Sequence, residues 1–305
     1  MDVLMDDAVL RDECLPAALA KVQQWMNYNH AAAAAGFAAR YADHPAVSDQ
    51  WLVWIAQNWG GLAPEHRDRA VRASGRNELH ASYGAAQLTP FLLDHVVGSD
   101  DLAVWASAPR LWAALNDDQR ARLLAAEGGH CPELSQCAAE APAEVLWAAL
   151  QQAGANLTQT LDLLHDAPGT PAAIESFVKE LIGATSWQGD TAQKAVSASN
   201  DATPLWPMAI EAASHGREAL GRAADMIRTL ATAHPQTVPS TFAADFAPLV
   251  HRCADDSSAQ ALGRAVEPLP AQARAIAKTL TGANNTVGEQ RRRNAAFKKA
   301  AGVNR

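Results

Sequence analysis

The chain has 305 residues, of which 49% are hydrophobic, 19% charged and 6% aromatic, and it carries a formal net charge of -8. That length is enough for one large or two modest domains with real cores, and an alanine-rich composition favours soluble helix. The negative balance leaves no electrostatic footprint for nucleic acid or anionic lipid, and no apolar run reaches the roughly 18 to 20 residues that would span a bilayer.

Read in chain order, the segments are helical in pattern with no stretch of strand alternation, which predicts an all-α, multi-helix globular fold. The first residues, MDVLMDDAVLRDE, are acidic where a secretory signal would be basic and then apolar. The expectation is therefore synthesis in the cytoplasm without a standard export tag. In SDQWLVWIAQNW, Ser48 is a candidate N-cap, and Trp51, Trp54, Ile55 and Trp59 share one helical face. That stripe reads as core packing, with stacking against a sugar as the alternative. APEHRDRAVRAS places Pro64 at a first helical position and Glu65 in the first turn, where the helix dipole favours a negative charge. A polar, glycine-punctuated stretch follows, SGRNELHASYGAAQLTP, residues 74 to 90. It reads as a loop between two helix ends, with Thr89 capping the next helix and Pro90 at its first position. Such junctions make clefts. Gly75 and Gly84 allow backbone approaches that a side chain would block, and Gln87 offers both a donor and an acceptor to a polar ligand.

Beyond that loop the helical pattern recurs in SAPRLWAALNDDQRARLLAAEGG, APAEVLWAALQQAG, TPAAIESFVKELIG, TPLWPMAIEAA and PSTFAADFAPLV. VWASAPRLWAAL and APAEVLWAAL resemble each other and invite a solenoid reading, yet the spacing does not persist. The Ser-, Thr-, Asp- and Gly-rich stretch 186–204 is a candidate boundary. It gives an N-terminal helical region over 1–44, a domain over 45–185 and a helical C-terminal region over 186–305. The last segment, TVGEQRRRNAAFKKAAGVNR, has six Lys or Arg against one Glu. It reads as a solvated terminal helix or tail, with an acidic partner as the alternative.

Cys14, Cys131, Cys137 and Cys253 read as reduced thiols, and a local Cys131–Cys137 disulfide stays open for a chain delivered elsewhere. His130, Cys131, Cys137, His251 and Cys253 are zinc-type ligands at spacings that match no compact zinc motif. No phosphate-binding glycine loop, Gly-x-Ser-x-Gly elbow or His-Glu-x-x-His pair occurs. Neither metal nor cofactor is expected.

ASGRN followed by YGAAQLTP resembles the active-site motif of the lysozyme-like lytic transglycosylases and resuscitation-promoting-factor domains. In those proteins Glu-Ser-Gly-x-Asn leads through a short loop to Gly-x-x-Gln and a new helix. Roughly eighteen residues carry the likeness directly. Ser74, Gly75, Asn77, Gly84 and Gln87 fall on motif positions, and the implied substrate-binding set is Ser74, Asn77, Tyr83, Gly84 and Gln87. Where the family places its catalytic glutamate, this chain has Ala73. Cleaving a glycosidic bond needs a carboxyl that protonates the leaving oxygen and then acts as a base, and a methyl group does neither. Glu127, at the end of RLLAAEGGH, and Glu78, in the loop, are the alternative acids, although Glu127 follows the Gln-bearing loop where the family's acid precedes it. A later Ala-Tyr-Asn element of the family is echoed in Ala198-Ser199-Asn200.

The resemblance implies a lysozyme-like helical domain and a peptidoglycan-cleaving glycosidase, a lytic transglycosylase or muramidase, inactive because Ala73 is engineered or degenerate. It implies action in the periplasm or on the cell wall after non-classical delivery, as by a bacterial antagonism effector or a phage lysis protein. Glycan strands would be the substrate, and an immunity or chaperone protein a partner. The alternative is a non-catalytic α-helical protein that docks other proteins.

Overall fold

A computed structural model describes residues 8–25, 30–42, 44–73, 82–184, 187–282 and 288–303. Every regular element among them is helical, in keeping with the all-α expectation. The chain divides into two units, Met1–Glu140 and Ala141–Arg305. The first holds α1 (Ala8–Trp25), α2 (Ala31–Ala39), α3 (Asp49–Gln57), α4 (Pro64–Ala73), α5 (Tyr83–Val97), α6 (Leu102–Trp105), α7 (Ala108–Leu111), α8 (Asp117–Ala126) and α9 (Leu134–Ala139). The second holds α10 (Ala143–Gln152), α11 (Leu157–Leu164), α12 (Thr170–Gly183), α13 (Gly189–Ser197), α14 (Leu205–Ala212), α15 (Arg217–Ala233), α16 (Phe242–Arg252), α17 (Asp256–Val266), α18 (Pro270–Gly282) and α19 (Gly288–Ala300).

Short connections fold helices back on their predecessors, so most helices come to lie beside the one two places along. In the first unit α2 packs on α4, α3 on α5, α4 on α6 and α5 on α7. In the second the pattern runs unbroken: α10, α12, α14, α16 and α18 form one row, and α11, α13, α15, α17 and α19 the other. This is the neighbour pattern of helical solenoids, in which paired helices stack and each layer buries the face of the last. No fixed sequence period marks it, because the helices range from 4 to 18 residues.

One turn does recur. Trp59 and Trp112 each open a 3₁₀ turn that closes on a buried leucine, Leu62 or Leu115, before the next helix starts. From that next helix an arginine reaches back eight residues: Arg67 Nε donates to the Trp59 carbonyl at 3.1 Å, and Arg120 Nε to the Trp112 carbonyl at 3.2 Å. The Arg120 guanidinium also lies 5.3 Å from the centre of the Trp112 ring. Each arginine thus adds a second donor to a carbonyl that already accepts from the amide of the closing leucine. Leu269 closes the same kind of turn on Val266, with Arg274 donating to the Pro270 carbonyl instead.

Two expected boundaries move. SAPRLWAALNDDQRARLLAA is broken into α7, the Trp112 turn and α8, because Asn116 forms a capping box with Gln119 that starts a new helix. The helix expected to begin at Thr89 begins at Tyr83, capped by the Ser82 hydroxyl, which accepts from the Ala85 amide at 3.1 Å. Pro90 therefore sits inside α5. The carbonyl it cannot serve, that of Ala86, lies on the exposed face where water can reach it. Pro64 and Glu65 open α4, and Ser48 takes the N-cap position of α3 with its side chain unused there.

The basic C-terminal segment is a packed helix. Phe297 is fully buried, Asn294 donates to the Leu280 carbonyl at 3.4 Å, and α19 approaches α17 at Gly263. A methyl at Gly263 would lie 2.6 Å from the Phe297 carbonyl oxygen and 2.8 Å from the Ala300 methyl. Gly263→Ala is expected to cost about 1–3 kcal/mol through forced separation of α17 and α19. A lowered urea midpoint, with Gly221→Ala in open space as the control, is the measurement.

Candidate functional site

The two ends of the motif stretch fare differently. Ser74, Gly75, Asn77 and Glu78 lie outside the described residues; Ala73 is the last residue of α4, and the placement of its side chain is likewise not described. The other motif residues belong to the first turns of α5. Gly84 is buried against α3: its amide donates to Asp49 Oδ1 at 2.5 Å, and an added methyl would overlap the Asp49 carbonyl oxygen. Its missing side chain therefore lets two helices touch. Tyr83 is 69% exposed, and Gln87 and Phe91 continue its face of α5 at intervals of four into solvent. Phe91 leans on Trp59, with ring centres 6.1 Å apart. Thr89 is buried and donates to the Ala85 carbonyl at 2.8 Å, so its hydroxyl is spent within its own helix.

Glu127 ends α8 and is 2% exposed. Its carboxylate accepts from the Gly129 amide at 2.8 Å and from the Cys131 amide at 2.5 Å. Between Glu127 and those amides the chain turns through Gly128 and Gly129, both at positive φ, which only glycine adopts cheaply. Glu127 thus folds the end of α8 back on itself, and the His130 ring stacks on Trp105 with centroids 5.4 Å apart. Among the described residues no three His, Cys, Asp or Glu side chains gather as a metal cluster. Burial, the Glu133 hydrogen bond and its charge push the Cys131 thiol up to about 12, and burial pushes Cys253 up to about 11. The tryptophan stripe is packed: Trp51 and Trp59 are buried, and Trp54 Nε1 donates to the Ala31 carbonyl at 3.3 Å. In the echo of the third family element, the Asn200 side chain donates to the His165 carbonyl.

A cleft in the second unit was not marked by any motif. It has a volume of about 490 Å³ and runs between α13 and α15. Asp190, Gln193 and Ser197 line one wall at helical spacing, and Asp225, Thr229 and Thr232 the other. Trp187, just before α13, closes one end. It lies near the Asp225 carboxylate, and the Arg222 guanidinium sits 6.0 Å from the centre of its ring. Arg222 is itself fixed by donating to the Ile182 carbonyl at 2.8 Å and to the Ala184 carbonyl. Partial desolvation raises the Asp225 pKa from its ordinary value, with Arg228 and Trp187 pulling the other way. A smaller cleft of about 230 Å³ has an apolar floor of Leu150, Leu157, Phe177 and Leu181, and a Gln151–Glu180 bridge of 2.5 Å at its rim.

No protein-family model matches this sequence, and no curated protein matches it.

Two outcomes follow from the Glu127 turn. Glu127→Ala, which leaves two main-chain amides without their acceptor, is expected to lose about 2–3 kcal/mol, and Glu127→Gln less, since its amide oxygen still accepts. Denaturant titration reads the difference. With a thiol-alkylating reagent near neutral pH, mass spectrometry is expected to find exposed Cys14 modified first, and buried Cys131 and Cys253 only after unfolding.

Proposed function

We propose that this chain is a non-catalytic α-helical docking protein, whose stacked helices hold rigid surfaces for a protein partner. The observation that carries this reading is the use made of Gly84, the glycine of the Gly-x-x-Gln element: its missing side chain is taken up in seating α5 on α3 through Asp49. Two further observations support it. Glu127, the acid nearest in kind to a lysozyme-type glutamate, is buried with its oxygens turned to its own backbone. The uncharged face of α5 formed by Tyr83, Gln87 and Phe91 is exposed, and aromatic side chains in such positions supply contact area at low entropic cost.

The second reading is a peptidoglycan-cleaving glycosidase, silent because Ala73 stands at the acid position. It is favoured by the co-occurrence of Ser74, Gly75, Asn77, Gly84 and Gln87 in motif order. It would bring with it glycan strands as substrate, delivery to the cell wall and an immunity or chaperone partner.

Restoring the acid separates the two. For a docking protein, Ala73→Glu and the parent chain both leave purified sacculi intact and fail to co-sediment with them. Soluble muropeptides released by Ala73→Glu alone would overturn the docking reading and establish the glycosidase.

A further inference from the structure

We propose that the cleft between α13 and α15 binds a neutral polyhydroxylated ligand, a mono- or disaccharide, with Trp187 as its stacking wall. A volume of about 490 Å³ lies in the range of small-molecule sites and admits a sugar of one or two rings.

The wall is built before any ligand arrives. Trp187 is backed against its ring by the Arg222 guanidinium, 6.0 Å from the ring centre, and Arg222 is itself anchored to two carbonyls. Gly189 leaves the space this needs, since a methyl there would lie 3.0 Å from Trp187 Nε1. A fixed aromatic face attracts the C–H face of a sugar ring through its quadrupole, without a rotamer to freeze on binding.

The polar groups select the ligand's charge. Asp190 and Asp225 offer acceptors, Arg228 offers donors, and Gln193 offers both. Thr229 Oγ1 donates to the Asp225 carbonyl at 3.1 Å and Thr232 Oγ1 to the Arg228 carbonyl at 2.8 Å, so their hydroxyl protons are used and their lone pairs face outward as acceptors. The two carboxylates repel an anion, and Arg228 offsets part of their attraction for a cation. Hydroxyl groups satisfy both signs, donating to the aspartates and accepting from the guanidinium. This cleft shares no residue with the α5 face, so its fate is separate from the docking reading.

The test is saturation-transfer NMR and calorimetric titration of the full chain with maltose, cellobiose and diacetylchitobiose, with argininamide as the cationic comparison. At least one disaccharide is expected to bind at millimolar concentration. Trp187→Ala should weaken that binding about tenfold or more, and Trp187→Phe should recover part of it. Gln193→Ala and Arg228→Ala remove exposed side chains and leave the fold intact by circular dichroism, so a severalfold loss in either supports the site even where Trp187→Ala fails to fold. The proposal is overturned if no disaccharide binds, if binding is indifferent to all four substitutions, or if argininamide alone occupies the cleft.

Discussion

Close contact between helix backbones is the constraint on which the architecture rests. α5 reaches α3 at Gly84, where a methyl would strike the Asp49 carbonyl, and α19 reaches α17 at Gly263, where a methyl would strike the Phe297 carbonyl. Between such points the helices meet through alanines, among them Ala34, Ala35 and Ala38 of α2 and Ala223 and Ala224 of α15, all buried. Around them leucine, valine, isoleucine and aromatic side chains fill the core, and their short-range dispersion contacts fall away steeply when helices separate. Large residues fill helix interiors, as Trp206, Phe246 and Phe297 do, and also the places where the chain turns. Trp59 and Trp112 plug the corners, and an arginine from the following helix ties each corner's carbonyl.

Much of this was legible from composition and capping signals. Pro64 with Glu65 opens α4 as read, and TPAAIESFVKELIG is α12 from its first threonine to its final glycine. Thr89-Pro90 misled because the pair satisfies the rule for a helix start. The rule is local, whereas the choice of Ser82 depends on Gly84 finding Asp49, a residue 35 positions away. The break at Asn116 was written in the sequence as Asn-Asp-Asp-Gln, a capping box that the surrounding run of helix formers hid. The stacking order was not legible, since helices of unequal length stack in space without repeating at a fixed interval along the chain.

The sites divide in the same way. A motif is a short string, and the string here led to a helix junction in which Gly84 and Thr89 serve packing and Tyr83 and Gln87 face solvent. The α13–α15 cleft comes from two helices separated by α14, with Trp187 drawn from a stretch whose composition reads as linker. No single window of sequence contains it. The interval of three or four between its lining residues is the same that marks any helix face, so nothing singled these out before the two helices were set side by side.

The start of α5 carries one last implication. A helix N-terminus ordinarily greets an oxyanion, whether phosphate, sulfate or the charged oxygen of a reaction intermediate, with its unpaired amides and positive dipole end. Here the Gly84 amide is already taken by a carboxylate and the Ala85 amide by a hydroxyl. The Asp49 carboxylate has in effect become the resident counter-ion of this helix, so a visiting anion would be met there by like charge.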